Sequence, residues 1–220
     1  MPIQEGWSQS TISGQPVEAF SPAGAIGTVI MLNRESEAWT VALAKHRLAA
    51  VVPLAECWWS KRPEEGFEEL GSPERFLLER VLPLHRIQAV AGTGIGGQAA
   101  LRLAFKYPDH FPIAASLNGA IDFHEHYGQG TSLDTLYRSR EAARQDTATL
   151  QVRSGPNAPE VWFACFPQSE WFRGNDRLRE KLNAIGVAHT SDLESSPKGN
   201  FDAMMAFIAT AIRQRARRLL

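Results

Sequence analysis

Ile87–Tyr107 reads IQAVAGTGIGGQAALRLAFKY. Ile87–Gly92 reads as a strand, the glycines after it as a turn, and Gly96–Lys106 as a helix ended by Tyr107-Pro108. Two motifs compete for the turn. Gly92, Gly94 and Gly97 satisfy G-x-G-x-x-G, whose backbone amides face a pyrophosphate in dinucleotide folds. That motif normally opens the first βαβ unit, yet at least four strands are expected before it here. The acidic residue expected ~20 residues further on, at the end of the next strand, is also missing. That strand ends near Leu117-Asn118-Gly119, with Asp109 too early and Asp122 too late.

The second motif is the nucleophile elbow, G-x-S-x-G, a sharp strand-to-helix turn that presents a serine. Gly92-Thr93-Gly94-Ile95-Gly96-Gly97 fits G-x-S-x-G-G, except that Gly94 stands at the serine. Downstream, Ala100–Ala104, Lys106-Tyr107-Pro108-Asp109 and Ala114–Ala120 complete a pattern. It resembles the esterase family that includes esterase D, the S-formylglutathione hydrolases and feruloyl-esterase-like enzymes. Trp58-Trp59-Ser60 resembles that family's loop after the fourth strand, and Ser72–Pro83 the helix before the elbow strand. Arg173–Leu182 with Gly186 resembles the helix after its acid-bearing loop. The resemblance runs from about Val29 to Phe207. It implies a three-layer α/β-hydrolase fold with a mostly parallel sheet, an N-terminal antiparallel hairpin and helices on both faces.

The local patterns agree with that architecture. Trp7–Ile12 and Gln15–Phe20 flank a Ser13-Gly14 turn, as a hairpin does. Ile26–Leu32 and Ala49–Leu54 read as buried strands, with a Glu37–Arg47 helix between them. Ser72-Pro73-Glu74 starts a helix that is expected to reach about Leu82. Beyond the elbow come a strand at Ile113–Leu117, a helix at Leu133–Arg144 and a loop-rich Thr147–Pro159. A strand at Val161–Phe166, a helix at Gly174–Ala184 and a strand at His189–Leu193 follow. Phe201, Met204, Met205, Ile208 and Ile212 share one face of a final helix, Phe201–Arg215. Strands alternating with helices imply a mostly parallel sheet, taken as one domain over residues 1–220.

The resemblance also places a catalytic triad, and every position of it is altered. A serine hydrolase needs a nucleophile, a base to remove its proton and an acid to orient the base. Gly94 has no side chain with which to form an acyl-enzyme. Thr93 belongs to the strand side, so its hydroxyl should point away from the site. The acid position aligns with Ser169, with Glu170 one residue off. The base position holds Asn200, which is not a general base at neutral pH and reads better as a cap of the final helix. The family's His-Gly pair after the third strand is Leu32-Asn33-Arg34 here. Backbone amides there, with that of Ile95, form an expected pocket for an anion or carbonyl. Asn33, Arg34, Trp58, Trp59, Thr93, Ile95 and His124 are therefore the expected binding residues.

Replacement chemistry has few sources. His124 and His126, with Asp122 and Glu125, could hold a divalent metal if the segment were extended, since both rings would share a face. No third ligand is identifiable, and a solvated polar loop is preferred, so no metal or cofactor is expected. Cys57 follows a strand, but no base or lowered pKa is evident for it. Trp58 and Trp59 suit either a ligand platform or packing over the sheet edge. Arg213, Arg215, Arg217 and Arg218 complement a helix C-terminus.

Composition sets the outer limits. A chain of 220 residues with 44% hydrophobic and 21% charged residues is long enough for a sizeable core. A formal net charge of -1 offers no global attraction to nucleic acid or anionic membrane. Two distant cysteines suggest a reducing compartment, and the N-terminus has no signal pattern, so cytoplasmic residence is expected. The leading expectation is an esterase homologue without catalysis that binds a small or anionic ligand or a protein. An active hydrolase with residues relocated to Cys57, Glu170 or the His124/His126 loop comes second, and a dinucleotide binder through Gly92–Gly97 third.

Overall fold

The computed structural model describes residues 6–32, 38–194 and 200–218. Eight strands form one sheet in the order β1-β2-β4-β3-β5-β6-β7-β8. They are β1 Gly6–Ile12, β2 Gln15–Ser21, β3 Gly27–Leu32, β4 Leu48–Pro53, β5 Ile87–Thr93, β6 Ile113–Leu117, β7 Glu160–Ala164 and β8 His189–Asp192. β1 and β2 form the expected hairpin, and β2 also runs antiparallel to β4. Every other pair is parallel. The carboxyl ends of β3 to β8 therefore share one edge of the sheet.

Side-chain alternation builds a core on each face. Val29, Met31, Ala89 and Ala91 point to the face covered by α1, Ala38–His46, and α8, Asn200–Arg218. Ile30, Leu32 and Val90 point to the opposite face. There they meet α2, Pro73–Phe76, α3, Gly94–Lys106, and α7, Phe172–Ala184. Met204, Met205, Ile208 and Ile212 are buried as the helical spacing required, and Phe201 packs on Trp39 with ring centroids 5.1 Å apart. No helix among the described residues is long and apolar enough to cross a membrane.

Three expectations about elements are corrected. Leu133–Arg144 is two short helices, α4 at Leu133–Leu136 and α5 at Arg140–Arg144. Tyr137 is extended between them, and Ser139 starts α5 afresh by accepting the Ala142 N–H at 3.1 Å. Tyr137 makes the break because its ring is buried and its hydroxyl donates to Asp146 at 2.8 Å. The Thr147–Pro159 stretch contains a short helix, α6, at Ala148–Gln151. Ser72 caps α2 as expected, but the helix widens to a π turn at Leu77–Val81 and tightens to a 3₁₀ turn at Leu82–Leu84. Pro83 lacks the N–H needed to continue it as α-helix.

Candidate functional site

β5 passes into α3 without an intervening loop. Thr93 is extended at φ -118°, and Gly94 turns the chain at φ +50°. That left-handed value is the signature of a sharp elbow, and glycine adopts it freely. Around it the glycines serve close approach. A Cβ on Gly92 would lie 2.4 Å from the Gly96 carbonyl, and one on Gly97 would lie 2.5 Å from the Ser116 hydroxyl. A Cβ on Gly94 would meet no described atom within 4 Å. The Gly94 carbonyl accepts the Ala120 N–H at 2.9 Å, which ties the elbow to the loop after β6.

A cavity of about 1080 Å³ opens beside this turn, bordered by Ile95, Trp58, Cys57, Glu64 and Leu136 among others. Trp58 is fixed at its wall. Its indole N–H donates to Ser132 at 2.9 Å, and its ring lies 5.1 Å from that of Phe123. The Trp58 backbone N–H donates to Glu64 at 2.9 Å, and the Ser60 hydroxyl donates to the other carboxylate oxygen at 3.4 Å. Burial raises the Glu64 pKa, against the opposing hydrogen bonds from Trp58 and Ser60. Burial, with Glu64 alongside, pushes the Cys57 thiol far up. Cys57 therefore stays protonated at neutral pH and is a poor nucleophile.

No family model and no curated protein sequence matches the chain. Solved structures do match. A ferulic acid esterase superposes with TM-score 0.73 at 12% identity, over 96% of this chain and 99% of the other. An S-formylglutathione hydrolase from Agrobacterium tumefaciens gives 0.64 at 15%, over 97% and 95%. MPT51 (FbpC1) from Mycobacterium tuberculosis gives 0.65 at 16%, over 96% and 100%. The fold is that of the α/β-hydrolases. A dinucleotide architecture is thereby set aside as the frame for Gly92–Gly97.

Within the α/β-hydrolase frame, Gly94, Ser169 and Asn200 follow β5, β7 and β8, on the shared carboxyl edge. Ser169 serves its own turn. Its N–H donates to Phe166 at 2.9 Å, and its hydroxyl accepts the Trp171 N–H at 3.1 Å. Glu170 is exposed, and its carboxylate lies 3.8 Å from the His126 Nε2. Asn200 is buried and is the first residue of α8.

The expected binding residues separate. Trp58 and Ile95 border the cavity. Trp59 is wholly buried in the core beneath α3 and presents no face to a ligand, so the platform is reduced to one tryptophan. Thr93 is buried within β5. Asn33 and Arg34 lie outside the described residues. His124 and His126 are not on an extended chain but in a 3₁₀ turn, Phe123–His126, which sends their rings apart. His124 is buried, and burial lowers its pKa. His126 packs against Trp171, the rings tilted with centroids 4.7 Å apart. Asp122 and Glu125 are both paired with Arg177. Among the described residues no group of three or more His, Cys, Asp or Glu is placed to hold a metal. Glu64, Ser132 and Leu136 reach the cavity without any sequence signal, because it is the folding of the 54–65 loop against α4 that brings them there.

Proposed function

We propose that this chain is a non-catalytic α/β-hydrolase homologue that binds a small molecule in the cavity beside its elbow. One observation carries the proposal: Gly94 holds the elbow conformation, at φ +50°, with nothing to present from it. The fold supplies the turn, the helix amide at Ile95 and an adjoining cavity. It supplies no attacking atom at the place where such enzymes form their acyl intermediate. Ser169 and Asn200 add neither a carboxylate nor a general base. Cys57, whose thiol borders the cavity, is held protonated by burial. A bound ester would then sit beside the Ile95 amide and remain intact.

The test is hydrolysis of p-nitrophenyl acetate by the purified protein, with and without a chelator, beside Cys57→Ala. The expected rate equals that of an unrelated folded protein. A saturable rate that disappears with the chelator or with Cys57→Ala would overturn the proposal and place the chemistry at a relocated site.

A further inference from the structure

We propose that the cavity beside Gly94 takes an organic cation, an amine or quaternary ammonium group on an apolar body, with Glu64 as counter-charge and Trp58 as the flanking wall. This rests on the cavity being a binding site, as argued above. The first support is an imbalance between two glutamates. Glu74 is buried, and Arg102, Lys106 and the Tyr107 hydroxyl all reach its carboxylate. Burial alone would raise its pKa, and those partners lower it instead. Glu64 is half-buried and is met by the Trp58 and Ser60 N–H groups and the Ser60 hydroxyl, with no cationic partner among the described residues. Its charged neighbour is Asp146, of like sign. A desolvated carboxylate without a counter-ion is unfavourable on its own and is relieved by a cation.

The rest of the wall agrees in sign. The ionisable side chains among the described lining residues, apart from Cys57, are Glu18, Glu56, Glu64 and Glu65. Glu56 and Glu65 are exposed, where they raise the local concentration of cations. Trp58 is locked by Ser132 and Phe123 with the cavity alongside it, and an indole is the best aromatic surface for a cation. Leu54, Leu136 and Ile95 give an apolar body somewhere to lie. This replaces the anionic ligand expected from the elbow amides alone.

The experiment is calorimetric titration of the full chain with benzyltrimethylammonium, benzyl alcohol and benzoate. It is repeated for Glu64→Gln, Trp58→Leu and the exposed control Glu69→Gln, each checked for folding by circular dichroism. Saturable binding of the cation is expected, with the alcohol about tenfold weaker and benzoate not binding. Glu64→Gln should weaken the cation about tenfold or more, and Trp58→Leu several-fold, with Glu69→Gln unchanged. Equal affinity for alcohol and cation, preference for benzoate, equal effects of Glu64→Gln and Glu69→Gln, or no binding of the cation would each overturn the inference. Benzoate or alcohol binding that Trp58→Leu abolishes would do so while leaving the cavity a binding site. Turnover of p-nitrophenyl acetate would instead remove the non-catalytic function beneath it.

Discussion

At the scale of single residues, Glu64 has an effect on stability that follows from its environment. Its pKa in the folded chain lies above the ordinary 4.5, chiefly through burial. Such a group is most favourable to folding below its unfolded pKa, where it is protonated in both states. Stability is lost as pH rises through the folded value. Neutral pH is on the penalised side. Glu64→Gln keeps an acceptor for the Trp58 N–H and removes the charge. Its thermal midpoint should rise by ~1–3 °C at pH 7, with the difference vanishing below pH ~4. Scanning calorimetry at the two pH values checks this. None of it is legible in the sequence, where Glu64 is one of five glutamates between Glu56 and Glu69. The turn at Gly94 was legible, because the strand, the glycines and the helix after them follow one another in the sequence.

At the scale of elements, the glycine turn separates two roles that the sequence pattern merges. Gly97 is where α3 passes close to β6, and an added methyl group would meet the Ser116 hydroxyl at 2.5 Å and the Gly92 carbonyl at 3.1 Å. Gly94 has the space but a left-handed φ. Gly97→Ala should therefore destabilise by ~3 kcal/mol and Gly94→Ala by ~1 kcal/mol in urea unfolding. Ser116→Ala should recover part of the Gly97→Ala loss, since its hydroxyl makes no hydrogen bond among the described residues. Elements with strong local signals, such as α8 and the parallel strands, were readable from periodicity. The break at Tyr137 was not. It depends on a hydroxyl reaching Asp146 and on burial among Phe123 and Leu133, neither of which leaves a periodic trace.

At the scale of the whole molecule, one buried charge network joins parts that are remote in sequence. Arg102 of α3 bridges Glu74 of α2 and Asp146 beyond α5, and Asp146 in turn accepts from Tyr137. The elbow helix is thereby tied to the segment that closes one side of the cavity. Arg102→Met would leave buried Asp146 without a cation and Glu74 with Lys106 alone, and should destabilise by ~3–5 kcal/mol at pH 7. Glu74 has a lowered folded pKa: burial opposes the shift, and Arg102 leads the groups that overcome it. Its contribution is present above the ordinary 4.5 and is lost as pH falls through the folded value. The gap between wild type and Arg102→Met should narrow below pH ~4, as urea unfolding at pH 7 and 3.5 would show. Resemblance was enough to anticipate the layers and the sheet. The network was not anticipated, since charged residues 28 and 44 positions apart carry no shared pattern.

The elbow is also a relaxed turn. A serine at φ +50° would hold the chain in a conformation that disfavours side chains by ~1–2 kcal/mol, a spring kept wound for the sake of chemistry. Glycine leaves that spring slack. The bend is then held by the close packing of Gly92 against Gly96 and by the Gly94–Ala120 hydrogen bond. A backbone shape that carries no tension needs no strain balanced elsewhere in the fold, and it remains open to whatever the neighbouring cavity holds.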